Sequence, residues 1–447
     1  MHLVMKRVIN AIFVIALMGI LLPVNAVAHN RERARAEVLE RGKGYYKDVF
    51  MDGGIALTSR HHLPATRFVG LTMDYFASAS KKKLSQQDTL LQSNIFCGYE
   101  KDVNGWLLYP DGAPRFRAIY VNGGKSAAHA RSLTEQGREN LRKYIAAGGS
   151  YVGTCAGAYL ATEGSFRNDK VWYEDVYLGL WPGYAHPTRL NKSYTTMTIE
   201  RRSPLLRYYD FGGDRMVDSV RHNGGCYAQG SASGKLPKGT EVLARYKFNN
   251  TKRVKIDGEA SVWAYKASEN SGRVVMCGSH PEGIAQGERL EFMSAMILYA
   301  MEGNPAPQLK GELKANEVRE MNKCTEDNEP DFTRIGDRQY HHFAIDVPKR
   351  CRRAVIALEG YKSKVRFDLT LCAKRGEFAF HDNTLTKVVS RGCKKQLVID
   401  APKAGRWYVS VFCETTVVAT TNKYGTRYSG KVSVLNGVPY KISVKYE

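Results

Sequence analysis

The chain has 447 residues, of which 43% are hydrophobic and 25% are charged, and its formal net charge is +22 at pH 7. This composition excludes a disordered chain, and the length exceeds that of one ordinary domain, so we expect two folded domains. The basic surplus favours acidic partners such as anionic glycans or membrane surfaces, but no nucleic-acid-binding motif accompanies it, so we expect no nucleic-acid partner.

The N-terminus predicts an export signal. A charged start ending in Lys6-Arg7 precedes the apolar run VINAIFVIALMGILL, which is followed by the small-residue segment VNAVA. A membrane-spanning helix needs about 20 apolar residues, and this run is shorter, so we expect residues 1–28 to be a cleaved signal peptide rather than an anchor. The mature protein is then secreted or periplasmic and keeps no membrane span.

Residues 45–305 predict an α/β domain, because short apolar runs alternate with helical stretches. FRAIYV (116–121) predicts a buried strand followed at once by NGG, and SLTEQGRENLRKYIAAGG (132–149) predicts a helix that stops at Gly148. SYVGT (150–154) predicts another short strand, and Cys155 follows it directly.

The remainder of the chain predicts a different architecture. Residues 306–331 are rich in Pro, Lys, Glu and Asn, which is typical of a linker. Residues 332–447 contain short β-rich runs separated by turn residues, which predicts an all-β sandwich. Basic residues are concentrated here, so we expect this domain to be an accessory module that contacts an acidic surface or a glycan.

The nine cysteines take on meaning in an oxidising compartment, where disulfides are permitted. An odd number leaves at least one thiol outside any intramolecular pair, and Cys155 is our candidate for it. Cys372 and Cys393 lie near the ends of predicted strands, where a disulfide is allowed. The spacing of Cys277 and His280 suits zinc, but no second ligand pair has a comparable spacing, so we expect neither a metal nor another cofactor.

Cys155 lies between small residues where a strand is followed directly by a helix, which predicts a nucleophile elbow. Gly153 and Gly157 leave room for a strained turn, and the amides at the start of the following helix would favour a thiolate and stabilise an oxyanion. GRVVMCGSHPEG (272–283) predicts a strand that brings His280 to the same sheet edge, with Glu282 two residues later.

A nucleophilic cysteine, a histidine that takes its proton and a carboxylate that orients the histidine form a Cys-His-Glu triad. The amides of Gly123 and Gly124, which follow the strand at 116–121, are predicted to complete an oxyanion hole.

The motifs VNGG, GGSYVGTCAGAYLA and GRVVMCGSHPEG, in this order, resemble the class I glutamine amidotransferase-like superfamily, and in particular the biotin-protein ligase N-terminal domain. LGLWPGYAHP (178–187) and HNGGCY (222–227) resemble further signatures of that domain. The resemblance implies a flavodoxin-like three-layer fold with Cys155 as nucleophile, His280 as base and Glu282 as its orienting group.

The same resemblance implies that Gly124 and Ala156 donate to the oxyanion. We add four residues as candidates for the lining of the substrate pocket: Asn122, Tyr159, Asn223 and Gly224.

Two departures limit this resemblance. The Gly-Arg-Gly and Lys-Trp-Pro-Asn-Asp segments of biotin ligases are absent, so we do not expect biotinylation. No synthetase or ammonia-accepting domain is recognised either, which reduces an amidotransferase to a hydrolase. APKAGRWYVSVF (401–412) is similar to the pre-peptidase C-terminal β-sandwich that accompanies many exported bacterial hydrolases.

Three functions are compatible with these features. The first is a hydrolase of amide, peptide or γ-glutamyl bonds in small molecules or peptides, acting through a thioester on Cys155. The second is a binding protein on an amidotransferase scaffold that has lost turnover. The third is a redox- or stress-sensing cysteine, which would form a sulfenate and no acyl intermediate.

Overall fold

The structure is a computed structural model that describes residues 28–55, 63–78, 85–98, 104–167, 170–173, 175–230, 235–422 and 424–447. The predicted signal peptide lies outside these residues, apart from its last residue. Within the described part of the chain, no helix is both long enough and apolar enough to cross a membrane.

Seven α-helices are described. They are α1 (28–40), α2 (Pro64–Phe68), α3 (Gln86–Cys97), α4 (Ser126–Ser132), α5 (Thr134–Ala146), α6 (Ala156–Leu160) and α7 (Gly287–Glu302).

The described strands of the first half of the chain are β1 (Lys47–Asp52), β2 (Met73–Phe76), β3 (Phe116–Val121), β4 (Ser150–Thr154), β5 (Gly164–Arg167), β6 (Lys170–Tyr173), β7 (Tyr184–Pro187), β8 (Ser193–Ile199), β9 (Met216–His222) and β10 (Cys226–Gln229). Those of the second half are β11 (Glu241–Lys247), β12 (Ala260–Lys266), β13 (Arg273–Cys277), β14 (Leu309–Glu312), β15 (Val318–Met321), β16 (Tyr340–Val347), β17 (Arg353–Gly360), β18 (Leu369–Arg375), β19 (Lys387–Val388), β20 (Lys395–Asp400), β21 (Gly405–Cys413), β22 (Val418–Asn422), β23 (Gly425–Ser429) and β24 (Tyr440–Tyr446).

One large sheet organises the first domain, in the order β22-β23-β2-β1-β3-β4-β13-β12-β11-β8-β9. Its centre, from β2 to β13, is parallel, and the pairs from β13 to β9 are antiparallel. Strands β3 and β4 are buried along their whole length, which explains their nearly continuous apolar sequences. Parallel strands bring their carboxyl ends to one edge, where the candidate site lies.

Helices cover both faces of this sheet. In β3, Ile119 and Val121 join the apolar cluster that contains α5, whereas Ala118 and Tyr120 join the cluster that contains α7. This alternation follows from the two-residue period of a strand. A second sheet, in the order β10-β7-β5-β6, lies beside the first. The predicted α/β fold class with a β-rich region after it is therefore confirmed.

The β-rich region contains two sheets, whose strand orders are β14-β16-β21-β18-β19 and β15-β24-β17-β20. All their strand pairs are antiparallel except β14–β16, which is parallel. Residues 306–331, which the composition predicts to be a linker, contain β14 and β15, and these pair with β16 and β24. The prediction of a linker is corrected here: polar residues are abundant because both strands lie at sheet edges and most of their residues are exposed or half-buried, not because the segment lacks structure.

The second domain also completes the sheet of the first. The hairpin β22–β23 adds to the free edge of β2, where Phe76 is paired with Gly425. The Tyr428 hydroxyl donates to an Asp74 carboxylate at 2.6 Å, and a buried Arg115–Asp337 ion pair joins the two domains elsewhere. The hairpin therefore covers an edge that would otherwise expose unpaired backbone groups.

All nine cysteines are in the described residues, and all nine are free thiols. The disulfide that the sequence allowed near Cys372 and Cys393 is not formed. Cys372 lies in the buried interior of β18, whereas Cys393 lies in the loop before β20 and contacts the backbone oxygen of Phe367 at 3.4 Å.

Candidate active site

Cys155 occupies a strained turn between β4 and α6. Its backbone dihedrals are φ 46° and ψ −103°, a conformation that costs free energy in any residue other than glycine. Two backbone hydrogen bonds stabilise this strained conformation. The Cys155 amide donates to the Cys277 carbonyl at 2.8 Å, and the Cys155 carbonyl accepts from the Tyr159 amide at 3.1 Å. The turn directs the residue to the carboxyl edge of the parallel strands, as a nucleophile elbow does.

The two flanking glycines are required by packing. A Cβ atom on Gly157 would lie 2.1 Å from the Val121 carbonyl oxygen, and one on Gly153 would lie 2.6 Å from the backbone of Gly157. Neither contact can be relieved by moving a flexible side chain, since the obstructing atoms belong to the backbone. The small residues around Cys155 therefore let α6 pack directly on β3 and β4.

His280 is held beside Cys155 by its side chain and its backbone. Its Nδ1 atom is 2.9 Å from Oε1 of Glu282, and its amide donates to the Arg221 carbonyl at 2.8 Å. The contact with Glu282 at Nδ1 leaves Nε2 as the ring nitrogen available to the sulfur. The three residues of the predicted triad are thus brought together.

The charges around His280 favour its imidazolium form. Burial by itself lowers the pKa of His280, but the hydrogen bonds to Cys155 and Glu282 and the charge of Glu282 outweigh this effect and raise the pKa to about 10. His280 is then protonated at neutral pH, the form in which it can stabilise a negative charge on a neighbouring group.

The loop after β3 packs tightly against the imidazole. A Cβ atom on Gly123 would lie 2.1 Å from Cε1 of His280, so only glycine allows the ring to take this position. Gly123 and Gly124 both line the cavity that contains Cys155. Ala156 begins α6 and is not among the residues that line the cavity.

The cavity has a volume of about 550 Å³, which lies within the range of small-molecule sites. Asn122 and Asn223 line it as predicted, and the Cys155 sulfur is 3.8 Å from the Asn223 carbonyl oxygen. Tyr159 and Gly224 lie outside the lining. The Tyr159 hydroxyl instead donates to the carbonyl of Gly225 at 3.2 Å and thereby supports this loop from behind.

The sequence reasoning missed several lining residues. They are Met51, Tyr120, Tyr194, Arg221, Gly283, Ile284 and Arg289. Arg221 could have been found from the sequence, because it immediately precedes the HNGGCY signature. Tyr194 and Arg289 carry no such signal, because they reach the cavity only through the pairing of β8 with β9 and the packing of α7.

A buried histidine links this loop to the strand that carries His280. His222 is fully buried, with Nδ1 2.7 Å from the Ser279 hydroxyl and Nε2 2.6 Å from the Thr188 hydroxyl. Burial, together with the charge of His280, lowers the pKa of His222 to about 4. His222 is therefore neutral, and it connects the residue before His280 with the segment at Thr188.

Two further thiols lie near the nucleophile. Cys226 and Cys277 are fully buried, and burial is the largest cause that raises the pKa of each thiol above its usual value. A protonated thiol is a poor nucleophile, so neither is suited to capture an oxidised Cys155 as a disulfide. Within the described residues, no group of three or more His, Cys, Asp or Glu side chains is arranged to hold a metal ion.

The mixed sheet with its parallel centre and the strand-to-helix turn at Cys155 are those of an amidotransferase-like α/β domain. Residues 113–297 match the family model described as "Biotin-protein ligase, N terminal". This match includes Cys155, His280 and Glu282 and confirms the resemblance inferred from the motifs for this part of the chain. The proposed likeness of the C-terminal region to pre-peptidase domains stays a prediction.

The chain is also similar, at low sequence identity, to individual proteins. An uncharacterised protein of Chlamydia muridarum (strain MoPn / Nigg) is 28% identical over 168 residues, which are 37% of this chain and 60% of that relative. The chain therefore matches less than two thirds of that relative's length.

Two solved structures show weaker likenesses. A glutamine amidotransferase crystal structure is 17% identical, with a TM-score of 0.33 and coverage of 56% of this chain and 98% of its own. The periplasmic inhibitor of g-type lysozyme, PliG, from Aeromonas hydrophila is 13% identical, with a TM-score of 0.15 and coverage of 24% of this chain and 77% of its own. At these TM-scores neither likeness supports an inference about this protein.

Proposed function

We propose that this protein is an exported cysteine-dependent hydrolase of amide bonds, with peptide and γ-glutamyl bonds as the main candidates. The observation that carries the proposal is the position of Cys155: it occupies a strained elbow and lines a cavity of about 550 Å³ together with His280, whose Nδ1 atom lies 2.9 Å from Oε1 of Glu282. This arrangement is that of an activated nucleophile with its base. Export remains part of the proposal, on the strength of the N-terminal sequence.

The first half of the reaction forms a thioester. The Cys155 thiolate attacks the amide carbonyl carbon, a C–S bond forms, and the carbonyl electron pair moves onto oxygen. The backbone amides of Gly123 and Gly124, with that of Ala156, are the proposed donors to this oxyanion. When the tetrahedral intermediate collapses, the C–N bond breaks and the His280 imidazolium gives its proton to the leaving nitrogen.

The second half hydrolyses the thioester. His280, now neutral, takes a proton from a water molecule as the water oxygen attacks the thioester carbonyl. The C–S bond then breaks, which releases the acid and restores the thiolate–imidazolium pair. Glu282 stabilises the imidazolium when His280 is charged and keeps the remaining proton on Nδ1 when the ring is neutral.

The other two functions make different demands on the site. A binding protein without turnover does not need a reactive thiolate, whereas Cys155 shares its cavity with an imidazole that Glu282 orients. A redox switch through an intramolecular disulfide needs a second reactive thiol, whereas burial raises the pKa of both neighbouring cysteines, Cys226 and Cys277. We therefore favour the hydrolase.

The first test is the rate of alkylation of Cys155 by iodoacetamide against pH, with the modified residue located by mass spectrometry. We expect the wild-type rate at neutral pH to exceed that of His280→Ala by about tenfold or more, because the imidazolium holds the thiolate. Cys155→Ser serves as the control for labelling of the eight other thiols.

A rate that is negligible at every pH, or that is unchanged in His280→Ala, would overturn the hydrolase. A reactive cysteine justifies a screen of peptide and γ-glutamyl amides, in which a covalent acyl-enzyme detected by mass spectrometry distinguishes a hydrolase from a redox sensor. A sulfenate formed with peroxide, with no acyl adduct from any amide, would instead favour the sensor.

A further inference from the structure

The cavity of Cys155 carries more positive charge than the triad requires. Arg221 and Arg289 both line it, whereas Glu282 is the one carboxylate among its lining residues in the described part of the chain. Glu282 is already engaged by His280, whose raised pKa adds a further positive charge. The two arginines therefore have no counter-charge on the wall of the cavity.

Arg221 is fixed beside the chemistry by its backbone. Its carbonyl accepts from the His280 amide, and a β-bridge joins the two residues. On its other side it is paired with Tyr194 of β8, whose side chain is exposed at the same cavity. The Arg221 side chain is exposed and makes no ion pair with any described residue. Its guanidinium is thus accessible from the solvent and adjacent to the triad.

Arg289 approaches from a different element, the first turn of α7. One of its terminal nitrogens donates to the Ser219 carbonyl at 3.0 Å, and the guanidinium has further N–H groups to donate. Four acidic residues are close to the start of α7 but do not line the cavity: Asp210, Asp214, Asp218 and Glu288. Of these, Asp210 pairs with Arg31, and Asp218 accepts from the Thr196 hydroxyl.

We propose that Arg221 and Arg289 bind a carboxylate of the substrate, so that the site selects amides whose acyl part carries a negative charge. A guanidinium donates two parallel hydrogen bonds to a carboxylate, and a concave wall of one sign raises the local concentration of an oppositely charged substrate. This inference rests on the proposed function, because it names the substrate class of the same site.

Two alkylating reagents that differ only in charge provide the test. Iodoacetate and iodoacetamide both form a C–S bond with the Cys155 thiolate and release iodide, but only iodoacetate carries a carboxylate. We expect the ratio of the iodoacetate rate to the iodoacetamide rate to exceed that of N-acetylcysteine. Arg221→Gln and Arg289→Gln should each lower this ratio by about three- to tenfold, and added salt should lower it in the wild type.

Arg245→Gln is the matched control, since it removes a positive charge from an exposed arginine that pairs with Glu200 outside the cavity. Its ratio should equal that of the wild type. A ratio that is the same in the wild type, both single variants and the double variant would overturn the role of the arginines, even if Cys155 is reactive.

A binding measurement keeps the inference testable if Cys155 proves unreactive. Glutarate is titrated calorimetrically into Cys155→Ala with and without Arg221→Gln, and glutaramide, which is uncharged, is the reference ligand. Binding of glutarate that is weakened by Arg221→Gln supports the carboxylate site, whereas equal or absent binding of the two ligands overturns it. Failure of the hydrolase and failure of the carboxylate site are therefore distinguished.

Discussion

The parallel and antiparallel parts of the large sheet contribute to the same cavity in different ways. The parallel strands β3, β4 and β13 end in the groups that perform the proposed chemistry: Gly123, Cys155 and His280. The antiparallel pair β8–β9 brings Tyr194 and Arg221, which surround the chemistry without taking part in it. The proposed chemistry thus depends on the carboxyl ends of parallel strands, which lie together at one edge of the sheet. The proposed selectivity depends on the antiparallel strands β8 and β9 of the same sheet.

Two histidines show the difference at the level of electrostatics. Interactions with Cys155 and Glu282 overcome the effect of burial and raise the pKa of His280 to about 10, whereas burial lowers the pKa of His222 to about 4. His280 has a carboxylate partner, Glu282, whereas His222 has two hydroxyl partners. The same side chain is therefore a proton donor in one place and a neutral structural link in the other.

The largest effect is expected from Gly157→Ala in the parallel part. The added Cβ would lie 2.1 Å from the Val121 carbonyl oxygen, so α6 must move and carry Cys155 with it. We expect a loss of about 1–3 kcal/mol in the free energy of unfolding and a reduction in Cys155 alkylation of about a hundredfold, measured by denaturation and mass spectrometry.

Gly283→Ala is its matched control for stability, because a Cβ atom added there would have no neighbouring atom within 4 Å. It should change the free energy of unfolding by less than about 0.5 kcal/mol. Equal stabilities for the two alanine variants would contradict the packing argument for the elbow.

A smaller effect is expected from Glu282→Gln. Removing the charge lowers the pKa of His280, so the imidazolium deprotonates at a lower pH and the alkaline limb of the pH–rate profile moves toward neutral pH. We expect turnover to fall by about ten- to a hundredfold, in line with the loss of an orienting carboxylate. A profile that does not move would show that Glu282 holds the ring without tuning its charge.

His222→Asn tests the antiparallel part through the stability of the protein against acid. The unfolded chain binds a proton on this residue near pH 6.5, whereas the folded chain does so only near pH 4, so acidification through this window favours unfolding. The variant should lose less stability than the wild type between pH 6.5 and pH 4, measured by urea denaturation. Alkylation of Cys155 should fall only a few-fold.

His342→Asn in the sandwich is the matched control. Burial also lowers the pKa of His342, to about 3, and the residue contacts Ser410 far from the cavity. This variant should show the same reduced sensitivity to acid with unchanged Cys155 reactivity. If His222→Asn leaves the acid sensitivity unaltered while His342→Asn reduces it, His222 is protonated in the folded protein and the assignment is wrong.

The smallest effect on Cys155 reactivity is expected from Thr188→Val, which removes the hydroxyl beside Nε2 of His222. An unpaired buried nitrogen costs about 1–3 kcal/mol of stability, whereas Cys155 should react at nearly its wild-type rate. Thermal denaturation and alkylation measured on one preparation check both expectations. A large loss of Cys155 reactivity at wild-type stability would mean that this side of the sheet controls the chemistry directly.

Much of the first domain was predictable because its signals are local. β3, β4 and β13 coincide with the apolar runs that predicted them, and the glycines around Cys155 indicated a tight turn before the backbone dihedrals were known. His280 and Glu282 were identifiable because they are two residues apart in one segment. The borders of the second domain were less predictable. The composition of β14 and β15 is typical of a linker, and the hairpin β22–β23 pairs with a strand of the other domain.

The sequence by itself indicated the nucleophile elbow, the candidate triad and the two-domain order, because each depends on residues that are close in the chain and on small residues that leave room for close packing. The tertiary structure decided which side chains surround Cys155. Arg221, Arg289 and Tyr194 meet at the cavity through strand register and helix packing, which arise from burial of apolar surface over long distances in the chain. It also decided the charge of each histidine, since the pKa depends on partners that no short segment specifies.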